Sequence, residues 1–274
     1  MAMIKNRDRR RKGARTMKFA RFTVNSKVYS GVVTEEGLQE ISGDIFESWE
    51  YTGKVFSREE ARLLAPLVPN QVIGIGANFV AKKEDLPSEL PEIPVFFFKP
   101  VSSVIGTEEE IIIPAGTESV KFESELAVVI GKEAKGVPES EVLDYVFGYT
   151  IGNDVTSPSF FHKDGHWTIG KSFDTFTPLG PVIETELDPF NVKITARLNG
   201  VEKQNSPTDL MIIPIRRMIS YLTKVMTLKP GDVILTGSPV GAEFVGKEDV
   251  IECEIEEIGV LKNVFAAVKE RQLS

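Results

Sequence analysis

Residues 121–131, KFESELAVVIG, decide how this chain folds and where its chemistry sits. The apolar run LAVVI, closed by Gly131, is strand-sized. Side chains alternate across a strand, so Glu123 and Glu125 project side by side from the start of that run. Two like charges at one strand end repel unless something neutralises them, and a hard divalent cation would do so. A solvated strand end is the plain alternative, because E-x-E alone is a weak signal.

Working outward, a second apolar segment, YTIGNDVT (149–156), delivers Asp154 just after Gly152-Asn153, where a loop opens. Two Glu and one Asp offer hard oxygen ligands that suit Mg²⁺, Mn²⁺ or Ca²⁺ better than zinc or copper. His162 and His166, which share one loop, and the lone Cys253 leave few nitrogen or sulfur ligands. An Asx turn is the other reading of Asp154. Lys171 follows in a Gly-, Phe- and Pro-dense stretch, where a partly desolvated ammonium could hold an enolate or carboxylate oxygen. From composition alone, a surface lysine is the better reading.

The rest of the pattern is β-rich. KFARFTV, KVYSGVV and LQEI alternate apolar positions between Gly and Asn-Ser turns. SREEARLLAPLV (57–68) reads as a short helix, VIGIGANF (72–79) as a buried strand entering a loop, and VAKKEDLPSELPEIP (80–94) as a Pro-punctuated surface loop. PESEVLDYVFGY (138–149) opens like a helix, and IPIRRMISYLTKVM (213–226) has helical spacing. VIECEIEEIGVLKN (250–263) looks like a terminal hairpin. Strands outnumber helices and seldom alternate with them, so the expected class is α+β, mostly β, rather than a doubly wound sheet.

The 274 residues suffice for one large domain with a smaller appendage. Residues 1–16 carry a charge of +6, which leaves −14 of the overall −8 on the remainder. The acidic body is a poor surface for nucleic acid. The basic segment lacks the apolar stretch of a secretory signal and reads as a disordered extension or an over-called start, with Met17 opening the first strand. No apolar run approaches the ~18 residues of a membrane span. One cysteine excludes an intrachain disulfide and suits a reducing, cytoplasmic setting, where Cys253 would pack as a small hydrophobe. GIGANF lacks the third glycine of a dinucleotide loop. LTGSPVG (235–241) has the look of a backbone nest that could bind a carboxylate.

In order, GIGANF, FFFKPVSSVIG, VKFESELAVVIGKEAKGV, VLDYVFGYTIGNDVT, WTIGKSFDTFTPLGP, TARLNGV, TLKPGDVILTGSPVG and VIECEIEEIGVLKN resemble the fumarylacetoacetate hydrolase family over about residues 70–265. The resemblance implies a mixed β-roll catalytic domain (69–270) behind a small N-terminal β region (17–68), and a homodimer. It places Mg²⁺, Mn²⁺ or Ca²⁺ on Glu123, Glu125 and Asp154, with Lys171 beside them and Thr175 near the cation. Phe79, Lys99, Ser103, Thr175, Thr236 and Ser238 become candidate substrate contacts.

The implied activity is an isomerase or decarboxylase of small 2-oxo or 2-hydroxydienoic acids acting through an enolate held at the cation. A C–C hydrolase of acylpyruvate or fumarylacetoacetate type and a non-catalytic keto-acid binder are the alternatives. The chain departs from the family pattern at Lys82, which stands where hydrolytic members carry a histidine, and at Pro158, where an arginine is common. A protonated lysine cannot activate water as an imidazole does. That leaves His166, Lys82 and Asp85 as the candidate substitutes for the missing base.

Overall fold

The computed structural model describes residues 4–5, 16–117 and 119–268. Strands β1 (Lys18–Val24), β2 (Lys27–Thr34), β3 (Gly37–Gly43) and β4 (Ser48–Phe56) form an antiparallel meander. Asn25 and Ser26 take the positive φ angles that a two-residue hairpin turn requires. Ile4–Lys5 pair with Ser48 and Trp49, and the rest of the basic extension up to Arg15 lies outside the described residues.

The helix expected over 57–68 does not form. Ser57 and Glu60 cap one another as at a helix start (Ser57 N to Glu60 Oε1 2.7 Å), but the chain then turns. Strand β1 leaves Phe22 and Thr23 needing an edge partner, and Arg62–Leu63 supply it. Pro66 and Pro69 would have stopped a helix within a turn or two in any case. The helix expected from Pro138 shrinks to one 3₁₀ turn, Val142–Tyr145, because the β-branched and aromatic residues that follow are drawn into a strand.

The remaining strands of three residues or more begin with β5 (Val72–Ile75), β6 (Phe96–Lys99), β7 (Glu110–Ile113), β8 (Ser124–Ile130), β9 (Val146–Asn153), β10 (Thr177–Glu184), β11 (Lys193–Leu198) and β12 (Val201–Pro207), and the two-residue strands Val120–Lys121 and Phe244–Val245 pair with each other. After α1 (Ile215–Val225) come β13 (Val233–Leu235), β14 (Val250–Ile255) and β15 (Gly259–Ala267). One large sheet runs β4-β3-β2-β1-β10-β9-β8-β13-β5-β6, antiparallel except where β13 meets β5. A second sheet runs β7-β15-β14-β11-β12. Among the described residues α1 is the sole α-helix, so the mostly-β α+β class is observed.

Strand β8 is the spine. All seven of its residues are buried, with Leu126, Val128 and Ile130 in one apolar cluster and Ala127 and Val129 in the other. Burial on both faces explains why its sequence is a continuous apolar run. Cys253 sits fully buried in β14, where desolvation pushes its thiol up to about 12. Among the described residues no helix is long and apolar enough to cross a membrane.

At the end of β10, Glu184 is 1% exposed, and one carboxylate oxygen accepts from Glu186 N (2.9 Å) while Oε2 has no hydrogen-bond partner among the described residues. Desolvation raises its pKa. A carboxyl raised in the fold contributes its full stability below its ordinary pKa and loses it as pH rises through the folded value. Glu184→Gln therefore melts higher than wild type at pH 7.5, by about 1 kcal/mol, and the difference closes toward pH 4.5 in thermal scans.

Candidate metal centre

The register of β8 on β9 sets Ser124 opposite Asn153 and Glu125 opposite Gly152. One step beyond, Glu123 and Asp154 meet: Asp154 N donates to Glu123 O (2.9 Å), and Glu123 N donates to Asn153 Oδ1 (2.9 Å). One carboxylate oxygen from each of Glu123, Glu125 and Asp154 lies within 4.8 Å of the others. Glu125 and Asp154 are buried and Glu123 partly so.

Three lysines surround this cluster. Lys99 Nζ donates to Asp154 Oδ1 (2.6 Å) and Val155 O (3.2 Å). Lys171 Nζ donates to Glu123 Oε2 (2.9 Å), Thr156 Oγ1 (2.8 Å) and Asp154 Oδ2, and lies 4.7 Å from the centre of the Phe97 ring. Lys121 Nζ pairs with Glu123 Oε1 at 2.6 Å.

Burial alone would lower the pKa of Lys171, but Asp154 and Glu123 outweigh it and the net shift is upward. Burial wins at Lys99, which has Asp154 in contact but Lys171 repelling it, and its pKa falls. Asp154 stays below the usual carboxylate range, because Lys171 and Lys99 overcome its desolvation. Glu125 is pushed well above that range by burial, then by Asp154 and Glu123.

Three hard oxygen donors converging this closely, one of them driven toward its neutral form by its neighbours, fit a hard divalent cation. The cluster opens into a cavity of about 470 Å³ lined also by Lys121, Lys171, the turn 238–242, Phe161 and Trp167. Gly76 makes room for that wall, since a Cβ there would stand 2.1 Å from the Trp167 ring.

The structure thus brings Glu123, Glu125, Asp154 and Lys171 together and sorts the other candidates differently. Lys82 is exposed and paired with Glu84 (3.2 Å). Asp85 is exposed in a 3₁₀ turn, and exposed His166 lies beside His162, ring centroids 6.1 Å apart. None of the three lines the cavity.

Four candidate contacts instead serve the fold. Phe79 bridges to Met211 and packs on the core. Ser103 Oγ bonds Pro100 O and Thr177 Oγ1, both at 2.6 Å. Thr175 Oγ1 accepts from Ile112 N (2.8 Å), and Thr236 Oγ1 donates to Leu126 O (2.8 Å). Lys99 is buried behind Asp154 rather than facing the cavity. Ser238 lines the cavity and its hydroxyl accepts from Gln204 Nε2 (2.8 Å). The nest-like turn does bind a carboxylate, but the protein's own: Gly237 N donates to Glu125 Oε2 at 2.6 Å.

Lys121, Thr156, Phe161 and Trp167 were not singled out from sequence. The two-residue alternation that links Glu123 to Glu125 reaches Lys121 if run backward, and from Asp154 reaches Thr156 if run forward. No such signal exists for the two aromatics, which arrive from a loop.

The family model for the fumarylacetoacetate (FAA) hydrolase C-terminal region matches residues 71–266. The chain belongs to the fumarylacetoacetate hydrolase family. A second model, Rv2993c-like N-terminal, matches residues 17–66. Among relatives of this family member, the mitochondrial oxaloacetate tautomerase fahd2 of Xenopus laevis is 40% identical, covering 76% of this chain and 70% of its own. The 2-hydroxyhepta-2,4-diene-1,7-dioate isomerase structure from Mycobacterium marinum superposes with a TM-score of 0.85 at 34% identity, over 93% of this chain and 100% of its own. The 5-carboxymethyl-2-hydroxymuconate delta-isomerase from Mycobacterium smegmatis gives 0.86 at 38%, over 92% and 100%.

Removing the Asp154 charge leaves buried Lys99 without its carboxylate partner and buried Lys171 with Glu123 alone. Asp154→Asn is expected to lower stability by about 3 kcal/mol or more, measured by urea unfolding in the absence of added metal.

Proposed function

We propose that this family member is a metal-dependent enzyme that interconverts keto and enol, or isomeric enol, forms of small 2-oxo or 2-hydroxyenoic acids, using Mg²⁺ or Mn²⁺. The observation that carries the reading is the convergence of Glu123, Glu125 and Asp154 with a charged Lys171 in one cavity that no imidazole lines. Relatives named as an oxaloacetate tautomerase and as isomerases of hydroxydienoates and hydroxymuconates support it.

A divalent cation on the three carboxylates would supply Lewis-acid polarisation of a 2-oxo group. The protein's own residues do the rest. Lys171, its pKa raised, stays protonated through the neutral range and acts as a fixed positive charge rather than a base. Thr156 and Asp154 aim its ammonium, which is therefore oriented before any negative charge develops on a substrate oxygen. Trp167, edge-on to Phe97 and stacked with Phe161, narrows the cavity and limits water, which strengthens those electrostatic contacts. Hydrolysis of a C–C bond asks for a group that activates water, and the candidates His166, Lys82 and Asp85 lie exposed, away from the cavity lining.

The test is Mg²⁺ titration calorimetry together with the rate of oxaloacetate enol-to-keto conversion. Glu123→Gln and Glu125→Gln should weaken Mg²⁺ binding and cut turnover by about a hundredfold or more, and Lys171→Met should cut turnover while Mg²⁺ still binds. Acid products released from an acylpyruvate would favour the hydrolase instead, and full activity in both glutamate variants would sink the metal assignment.

A further inference from the structure

We infer that Lys121 is a specificity-determining residue that binds a second carboxylate of the substrate, so that the site prefers 2-oxo dicarboxylates to 2-oxo monocarboxylates. This rests on the metal-dependent reading above and goes beyond it.

The three lysines at the cluster differ in what they have left to give. The Lys99 side chain is 0% exposed and the Lys171 side chain 5%, and each is bonded to two or three protein oxygens. The Lys121 side chain is 29% exposed, lines the cavity, and has one protein acceptor, Glu123 Oε1, among the described residues. An ammonium has three donors, so two of them remain for a ligand. Glu123 does not need Lys121 as its counter-ion, because Lys171 already holds its other oxygen.

The placement of Lys121 is rigid. Its backbone exchanges two hydrogen bonds with Thr156 (2.9 and 3.0 Å) and pairs on its other side with Phe244. That pairing ties it to the turn 238–242, which lines the same cavity. The turn is itself fixed: Gly241 has φ +106°, a Cβ there would meet Lys203 O at 2.0 Å, and Lys203 pairs with Glu243 (2.8 Å). The backbone that carries this ammonium is therefore held beside the carboxylate cluster, and the ion pair with Glu123 keeps the ammonium at the cavity wall.

Charge points the same way. Glu123, Glu125 and Asp154 balance Lys99, Lys121 and Lys171, so a bound divalent cation leaves the site two charges positive. A dianion neutralises that excess and a monoanion does not.

Oxaloacetate and pyruvate make a matched pair: the 2-oxo acid end is the same, and only oxaloacetate has the distal carboxylate. Their binding, and that of oxalate, is measured by calorimetry with saturating Mg²⁺ on the full chain, using freshly dissolved oxaloacetate. The wild type should bind oxaloacetate about tenfold or more tighter than pyruvate. Lys121→Gln should erase that advantage, costing oxaloacetate far more than pyruvate or oxalate, which lack the distal group, and Lys121→Arg should keep most of it. The proposal is overturned if Lys121→Gln weakens all three ligands equally, since the lysine then acts through Glu123, or if oxaloacetate keeps its advantage. A wild type that binds neither oxalate nor pyruvate with Mg²⁺ overturns the metal reading and this proposal together, and is recognised before any variant is compared.

Discussion

The buried contact of Asp154 with two ammonium groups is the constraint around which the catalytic part of the molecule is arranged. Burying one carboxylate and two lysines is costly unless every charge is met at short range and its remaining donors find acceptors. Lys99 comes from the end of β6, Asp154 from the end of β9, and Lys171 from a 3₁₀ turn in the loop beyond. Those three chain segments must arrive in register for any of the charges to be tolerated. The opposite pKa displacements of the two lysines follow from their company: Lys171 touches two carboxylates, Lys99 only one.

The same arrangement ties fold to chemistry. The cluster in which burial and two neighbouring carboxylates raise Glu125 also holds a fixed ammonium, Lys171, at the cavity wall. The departure at Lys82 is consistent with this, for the loop that carries it stands outside the cavity and pairs its lysine with Glu84.

Legibility from sequence tracked the range of the interactions involved. The carboxylate trio could be read because strand alternation and a strand end are local rules, and β8 and β9 obey them. The first three strands of the meander, α1 and the terminal hairpin were legible for the same reason, whereas β4 was not read. The segment 57–68 was not, since an unpaired stretch of β1, distant in sequence, decided its conformation. The resemblance points to Thr175, Thr236 and Ser103 as substrate contacts, and their hydroxyls bond other parts of the chain, a matter no local pattern reports. Trp167 entered the cavity wall through its contact with Gly76, ninety-one positions earlier.

Strand β10 joins the two parts of the molecule through Ile183 and Glu184, which pair with Phe19 and Lys18. The N-terminal meander is thus also an edge cover. Without it, this end of the sheet would present unpaired N–H and C=O groups at the outer border of β10, beside the apolar side chains Val182 and Ile183. Such a border is a template for strand addition between molecules. The small N-terminal region, which gives no residue to the carboxylate cluster or its cavity, thus closes a hydrogen-bonding border of the sheet that carries them.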